Sequence, residues 1–195
     1  SWQIPIITSS EHMKSRILSI NKKFLYDELE NFEVLLIPGF QGINNKGELT
    51  TLGRGGSDTS AVAVAAAMET ECIIYTDVEG VFTTDPNIVP KAKKINKISY
   101  EEMLELASQG AKVLQTRSVE LAMRKNTKLS VRSSFKPKKI GTMITDEKSV
   151  LENNTVSGIT YSKDEAKITL SRVQDKPGVS SKIFGPLAKG NINVD

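Results

Sequence analysis

A glycine-rich segment, LGRGGSD at positions 52–58, carries an arginine and an aspartate and has the composition of a site for a small charged ligand. Glycine permits positive φ angles and lets main-chain N–H groups approach a ligand closely. The alanine-rich sequence that follows predicts a helix beginning near Ser57, and the N-terminus of a helix attracts anions. Arg54 adds a planar guanidinium that fits a carboxylate or a phosphate. These features predict an anion site; the alternative is a surface turn whose arginine is solvated.

Asp58 adds a carboxylate to the same segment. In one interpretation Asp58, like Ser57 and Thr59, is simply a residue type that caps the start of the helix. In another, Asp58 accepts a hydrogen bond from an ammonium group of a substrate or of a catalytic lysine. An arginine and a carboxylate side by side suit a zwitterion, that is, an amino acid. The spacing fits neither GxxxxGK[ST] nor GxGxxG, so the usual P-loop and dinucleotide-binding mechanisms are excluded.

A second candidate region, YTDVEGVFTTDP at 75–86, follows a strand-like apolar run. Its threonine hydroxyls and main-chain groups could contact the ribose and base of a nucleotide. The alternative is structural, with Asp77 bonding its own backbone and Asp85 forming an Asp-Pro turn. Lys112 is a further candidate, although it could equally be solvated. The single histidine, His12, has no companion ligand in the sequence, so neither a dedicated metal site nor a Ser-His-Asp triad is supported.

The elements that must position these residues alternate between strands and helices. Apolar runs predict three buried strands: EVLLIPGF (33–40), ECIIYTDV (71–78) and KLSVRSSF (128–135). Helices are predicted after Ser57, after a capping box formed by Ser99 and Glu102 and ended by Gly110, and from about Gln115 to Lys125. This alternation predicts an α/β protein with a mainly parallel sheet covered on both faces. Ligands of such sheets bind beyond the carboxyl ends of the strands, where the candidate residues would gather.

The apolar pattern fades between Lys136 and Val156, which predicts a domain boundary. The basic cluster KPKK at 136–139 is interpreted as a solvated linker, with anion contact as the alternative. Beyond it, AKITLSRV (166–173) predicts a strand, and DKPGVSSKIFGPLAKG (175–190) predicts a turn and a helix ended by its last glycine. The final NINVD begins another strand, so the pattern is a truncated βαβ unit.

Composition excludes several classes of protein. The chain has 195 residues with 38% hydrophobic content, which supports a buried core, and its net charge of +3 is scattered rather than clustered for nucleic acid. One cysteine, Cys72, lies in an apolar run and predicts a buried thiol in a reducing, cytoplasmic setting. No run approaches ~20 apolar residues, so no membrane span is expected. Both ends of the chain are expected to be boundaries within a longer protein.

Four motifs in this order, GFQG (39–42), TTLGRGGSDTSA (50–61), YTDVEGVFTTDP (75–86) and EEMLELASQGAKVLQTRSVELA (101–122), resemble those of the aspartate kinases. The resemblance implies the amino acid kinase fold, an open α/β/α sandwich. It also implies transfer of the γ-phosphoryl group of MgATP to the β-carboxylate of L-aspartate, the first step toward lysine, through diaminopimelate, and toward threonine and methionine. The alternatives are another amino acid kinase relative or a non-catalytic amino acid sensor.

The resemblance also assigns residues to sites. The aspartate-site positions are Phe40, Arg54, Gly55, Gly56, Ser57 and Asp58, with Arg54 binding the substrate carboxylate and Asp58 as the catalytic residue. The ATP-site positions are Thr76, Asp77, Phe82, Thr83, Asp85, Pro86, Asn87, Lys112 and Val113, and Mg²⁺ is carried with ATP rather than held by dedicated protein ligands. The family often has tyrosine at Phe82 and arginine at Asn87, so these departures predict weaker or rearranged ATP contacts.

The implied domains are residues 1–145, the C-terminal part of a kinase domain, and residues 146–195, a linker and a truncated ACT regulatory domain. An amino acid effector, lysine or threonine, is expected at Asp175, Gly178, Val179 and Ser180, at an interface between ACT domains of a homo-oligomer. Without the resemblance the same residues are an ordinary βα turn. The family's N-terminal KFGG element does not occur in the chain, so the resemblance predicts little or no activity for these 195 residues alone.

Overall fold

The computed structural model of the protein describes residues 4–11, 13–111, 113–146, 156–161, 173 and 176–190. The chain divides into two compact units, Ser1–Ser162 and Lys163–Asp195. The strands of the first unit are β1 (Ile6–Thr8), β2 (Ile17–Ile20), β3 (Gln41–Ile43), β4 (Leu49–Thr51), β5 (Cys72–Thr76), β6 (Lys97–Ser99), β7 (Leu129–Ser133) and β8 (Thr142–Thr145). Its helices are α1 (Lys22–Asn31), α2 (Gly56–Ala67), α3 (Tyr100–Ser108) and α4 (Thr116–Lys125).

The described strands form two four-stranded sheets, with orders β2-β1-β3-β4 and β5-β7-β8-β6. The α/β prediction is confirmed: among the described strands, the second sheet is mainly parallel, with two of its three pairings parallel, whereas the first sheet has one parallel pairing of three. In the second sheet β5 pairs with β7 and β6 with β8 in parallel, whereas β7 and β8 are antiparallel. The reason is the short connection between β7 and β8, since antiparallel neighbours can be joined by a brief turn and parallel ones cannot.

The hydrophobic core lies between the second sheet and helices α2, α3 and α4. Its fully buried side chains include Val62, Ile98, Met103, Val119, Leu129, Val131 and Ile144. Cys72 is buried in this core, as predicted, and burial raises the pKa of its thiol to about 11. The predicted strands at 71–78 and 128–135 contain β5 and β7. The predicted helices at 99–110 and 115–125 are α3 and α4.

The remaining strand prediction, for Glu33–Phe40, is wrong. Residues 33–40 belong to no strand, and their side chains are largely exposed, Val34 at 81% and Leu36 at 97%. The first sheet is instead built from short strands on either side of this segment. An apolar run of this kind gains stability only when neighbours cover both of its faces, and periodicity alone cannot tell whether they do.

The polar stretch predicted as a boundary includes β8, which lies between β7 and β6. Residues 156–161 belong to the first unit and bond to its earlier segments. The Ile159 N–H donates to the Thr83 carbonyl at 2.8 Å, and the Ser157 hydroxyl donates to the Glu102 carboxylate. The first unit therefore extends to Ser162, farther along the chain than the predicted boundary after residue 145.

The described part of the second unit is centred on helix α5 (Val179–Lys189). Gly178, at φ 88°, is its N-cap and Gly190 its C-cap, so the predicted helix is confirmed. The predicted strand at 166–173 lies outside the described residues apart from Val173, and the one beginning at 191 lies wholly outside them. Among the described helices of the whole chain, none is both long and apolar enough to cross a membrane.

The capping box of α3 provides a test of how this unit is stabilised. The Ser99 hydroxyl accepts from the Glu102 N–H at 3.2 Å, and the Glu102 carboxylate accepts from the Ser99 N–H at 3.0 Å. We expect Ser99→Ala to lower the free energy of unfolding by about 1 kcal/mol, because it leaves a helix N–H without its acceptor. Urea unfolding followed by circular dichroism measures this.

Ser108→Ala, in the last turn of the same helix, is the matched control. Its hydroxyl donates to the Glu105 carbonyl on an exposed surface, and we expect a change within about 0.5 kcal/mol. Equal losses in the two variants would contradict the capping role of Ser99.

Candidate active site

The glycine-rich loop bends twice through the left-handed region. Gly53 has φ 77° and Gly55 has φ 67°, with Arg54 between them. A Cβ at Gly53 would overlap the Met13 carbonyl, and a Cβ at Gly55 would overlap the Gln115 side chain. Glycine is therefore required twice over, by backbone conformation and by the close approach of other segments.

Helix α2 begins at Gly56, and its N-cap is Gly55 without any side-chain hydrogen bond. The expected N-cap residues Ser57, Asp58 and Thr59 are all inside the helix instead. The Thr59 hydroxyl donates back to the Gly55 carbonyl at 2.9 Å. The left-handed turn at Gly55 lets the chain enter the helix one residue before the first good capping side chain, so the helix start carries no side-chain cap.

Asp58 lies in the first turn of α2 and faces the start of α4. Burial raises the pKa of its carboxyl, and a hydrogen bond from the main-chain N–H of Gln115, the N-cap of α4, works against that rise. The carboxylate therefore lies where two helix N-termini meet. Partial burial next to main-chain donors is a suitable environment for a carboxylate that takes part in binding or catalysis.

Phe40 is brought to the same loop. Its backbone is left-handed, at φ 70°; its N–H donates to Ser60 Oγ at 3.3 Å, and its carbonyl accepts from the Leu52 N–H at 2.9 Å. A Cβ at Gly56 would lie 3.0 Å from the Phe40 ring. The ring is 44% exposed, so it forms part of the accessible surface beside the loop.

Arg54 is exposed and makes no hydrogen bond or ion pair with any residue that the structure describes. Ser57, three residues on, is also exposed. The described contacts thus leave the guanidinium available to an incoming anion. The predicted aspartate-site residues, Phe40, Arg54, Gly55, Gly56, Ser57 and Asp58, are brought together at the start of α2.

The predicted nucleotide-binding residues at 76, 82 and 83 form their hydrogen bonds with residues outside the glycine loop. At the end of β5 the Thr76 hydroxyl donates to Asp77 Oδ1 at 3.1 Å. Phe82 forms an isolated bridge with Lys94, and the Thr83 N–H donates to the Lys93 carbonyl at 2.8 Å. These contacts hold residues 82 and 83 against residues 93–94. Neither residue has a described hydrogen bond to the glycine loop.

Asp85 forms the turn that the structural alternative predicted. Its Oδ1 accepts from the Asn87 N–H at 2.9 Å, and its carbonyl accepts from the N–H groups of Ile88 and Val89. Pro86 lies inside this turn. Val113 is half-buried against the core two residues before Gln115, and Lys112 is outside the described residues. Of the described nucleotide positions, Val113 is the one nearest in sequence to Gln115, which contacts Gly55 of the glycine loop.

Two residues near the loop were not predicted from the sequence. Gln115 contacts Gly55 and Asp58, and Arg117 donates through Nη1 to the Leu52 carbonyl at 2.9 Å and through Nη2 to the Ser15 carbonyl at 2.8 Å. One signal could have revealed Arg117. A cation in the first turn of a helix is unfavourable beside the positive end of the helix dipole, which indicates that another contact keeps it there.

Two other predictions concern charged or effector sites. Lys136 and Lys139 of the basic cluster form exposed ion pairs with Glu79, which agrees with a solvated surface segment. Of the predicted effector positions, Gly178 is the N-cap of α5, Val179 and Ser180 are its first two residues, and Asp175 lies outside the described residues.

Residues 3–133 match the model of the amino acid kinase family. The chain belongs to the amino acid kinase family. It is 52% identical to an aspartate kinase of Pseudomonas putida over 195 residues, a match that covers 99% of this chain and 47% of that relative. The chain thus spans about half the length of the curated relatives it matches.

Solved structures give the same family. The structure of E. coli aspartokinase III in complex with lysine and aspartate, in the T-state, matches 99% of this amino acid kinase chain and 44% of its own chain, with TM-score 0.76 and 30% identity. The R-state structure of the same enzyme, in complex with aspartate and ADP, covers the same shares with TM-score 0.69 and 29% identity. The predicted family and fold are confirmed.

The two constraints on Gly55 can be separated by comparison with Gly47. Both have positive φ, but a Cβ at Gly47 would have no heavy atom within 4 Å. We expect Gly47→Ala to cost about 1 kcal/mol of unfolding free energy, from backbone strain alone. Gly55→Ala should cost about 1–3 kcal/mol more, because the methyl group displaces Gln115. Urea unfolding measures both, and equal losses would contradict the close packing of the loop on α4.

Proposed function

We propose that the protein to which this chain belongs is an aspartate kinase, which transfers the γ-phosphoryl group of ATP to the β-carboxylate of L-aspartate. One observation carries this proposal: Arg54 on the glycine loop and Asp58 in the first turn of α2, opposite charges suited to an amino acid, lie at the same helix start, beside Phe40. The near 50% identity to proteins named aspartate kinase supports the substrate. Because the chain covers 47% of those relatives, activity, substrate and partners are proposals for the whole protein.

In this proposal Arg54 binds a carboxylate of aspartate with its guanidinium. The N-terminus of α2 and the N–H groups of the glycine loop contribute partial positive charge. Asp58 accepts a hydrogen bond from an ammonium group and fixes the orientation of the substrate. A carboxylate that attacks a polyanion must overcome charge repulsion, so catalysis depends on such positioning and on cationic stabilisation of the transferred group.

ATP is the proposed phosphoryl donor and carries Mg²⁺ with it, which neutralises charge on the phosphates. The proposed contacts come from Thr76, Asp77, Phe82, Thr83, Asp85, Pro86, Asn87, Lys112 and Val113. The ADP named for the E. coli aspartokinase III structure supports a nucleotide site in this fold. Phe82 and Asn87 lack the hydroxyl and the cation that the family often has at these positions, so ATP contacts are expected to be weaker or rearranged.

We also propose feedback regulation. The second unit would begin an ACT domain, and an amino acid effector would bind near Asp175, Gly178, Val179 and Ser180, with its carboxylate toward the start of α5. The lysine named for the T-state structure of E. coli aspartokinase III supports lysine as an effector class. Homo-oligomerisation through ACT domains, a cytoplasmic location and a place in lysine synthesis through diaminopimelate belong to the same proposal.

Two rival functions are separable by experiment. Another amino acid kinase would prefer an acceptor such as glutamate, acetylglutamate, carbamate or a nucleotide. A coupled assay that offers ATP with each acceptor to the full-length protein therefore tests the substrate, and a preference for anything but aspartate would reject aspartate kinase. A non-catalytic sensor would ignore nucleotide, so calorimetry with MgATP distinguishes it from an enzyme.

Arg54→Gln in the full-length protein tests the substrate site. Losing a charge-assisted pair of about 1.5–3 kcal/mol should lower kcat/KM for aspartate about 10–100-fold. The KM for ATP should change less than about 3-fold. The control is Arg124→Gln, an exposed arginine paired with Glu120 on the surface of α4, which should leave both parameters unchanged. A loss confined to the KM for ATP would contradict the assignment of Arg54.

Asp58→Asn separates function from stability. We expect kcat to fall more than about 100-fold, because the amide cannot act as a charged acceptor. Above the pH at which Asp58 ionises, the variant should have the higher Tm, since its amide carries no buried charge and its oxygen still accepts from the Gln115 N–H.

The pH dependence follows from the raised pKa of Asp58. Where the folded carboxyl holds its proton and the unfolded one has released it, raising the pH destabilises the wild-type protein. The Tm advantage of Asp58→Asn should therefore develop as pH rises above 3.8 and disappear below it. Calorimetry of both proteins between pH 3.5 and about 7.5 measures this, and an advantage that instead grows toward low pH would contradict the raised pKa.

A further inference from the structure

We propose that Arg117 is a positioning residue that holds the aspartate-binding loop against α4, an inference that rests on the proposed function. Its guanidinium donates to two main-chain carbonyls from distant parts of the chain, Leu52 at 2.9 Å and Ser15 at 2.8 Å. Arg117 is not one of the proposed substrate-binding residues, and its described hydrogen bonds go to main-chain carbonyls. Its effect on the site is through the backbone of the loop.

The two acceptors belong to segments that already lie side by side. The Ser15 N–H donates to the Thr51 carbonyl at 3.1 Å, and the Met13 N–H donates to Thr51 Oγ1 at 3.1 Å. The Met13 carbonyl lies so close to Gly53 that no Cβ fits there. Arg117 therefore binds the end of the 13–15 segment and the start of the glycine loop with one planar group.

The loop is anchored to α4 at two places. Gln115 contacts its far end, through Gly55 and Asp58, and Arg117 holds its near end, at Leu52. The two anchors are two residues apart at the start of one helix, and Arg54 lies between the points they hold. Releasing the Arg117 anchor would leave the near end of the loop held by the Leu52 N–H bond to the Phe40 carbonyl, but no longer connected to α4.

The position of Arg117 is electrostatically unfavourable without these acceptors. It is the second residue of α4, whose first turn contains no acidic residue, so the guanidinium lies beside the positive end of the helix dipole. Two partly buried carbonyl oxygens offset that cost. A lysine has no planar fork and cannot reproduce both bonds in the same geometry, so the site selects arginine specifically.

The nucleotide positions at 82, 83 and 85 should be insensitive to Arg117. Residues 82 and 83 are held by the 93–94 segment, and Asp85 by its own turn. A loosened glycine loop should thus weaken aspartate binding while ATP binding is retained. A residue with a merely structural role would change both constants or neither.

The experiment compares Arg117→Gln, Arg117→Lys and the control Arg124→Gln in the full-length protein. In Arg117→Gln we expect the KM for aspartate to rise about 10-fold and the KM for ATP to change less than about 2-fold. Arg117→Lys should rescue part of the loss, to about a 3-fold rise, because its ammonium can bond one carbonyl. Arg124→Gln should behave as wild type.

Hydrogen exchange of the same proteins gives a readout independent of activity. Amides of a peptide spanning 50–58 should exchange faster in Arg117→Gln than in Arg124→Gln, while peptides from 93–99 stay unchanged. If the wild-type protein fails to phosphorylate aspartate, the proposed function falls, and this exchange result alone decides the positioning role.

Several results would overturn the inference: an unchanged KM for aspartate in Arg117→Gln, equal rises in both KM values, or unchanged exchange at 50–58. Circular dichroism is the check on folding. If both Arg117 variants are unfolded, the residue is a scaffold element for the whole unit and the proposal of a positioning role is rejected.

Discussion

The close contact between the glycine loop and the start of α4 is the constraint on which the candidate site depends. Without side chains at Gly53 and Gly55, the loop backbone can approach Met13 and Gln115 to distances that any Cβ would prevent. Close approach in turn puts the loop within reach of main-chain donors and acceptors on neighbouring segments. The charged side chains of the site owe their positions to a backbone arrangement, and the glycines are as much a part of that arrangement as the charges.

This arrangement places charge where the protein's stability does not require it. Burial raises the pKa of Asp58, so keeping the carboxylate ionised opposes folding, and Arg54 is left exposed without a described partner. The rest of the unit compensates with ordinary means: a core of fully buried aliphatic side chains and a complete capping box on α3. A local loss of folding stability at a site, offset by the stability of the surrounding core and helices, is typical of binding and catalytic surfaces.

The sequence predicts best what short segments determine. The capping box of α3, the limits of α4 and the strands β5 and β7 follow from residues within a few positions of one another, and all four predictions are confirmed. Arg117 could not be placed in this way, because its two acceptors are 65 and 102 positions away. The membership of β8 in the second sheet is likewise a long-range result, because its four residues, TMIT, are too few to show a strand pattern. Both features depend on contacts between residues far apart in the chain, which patterns of neighbouring residues cannot predict.

The largely exposed segment at 34–38 has a consequence for how the chain behaves in solution. Its apolar side chains face outward on one side, and residues 33–40 belong to no strand. Such a row of peptide groups is a template on which another copy can add a strand, the first step of intermolecular β-aggregation. Pro38 has no N–H and limits the template to about four residues. A stretch of exposed backbone, in addition to net charge, is thus a feature of this chain that favours association at high concentration.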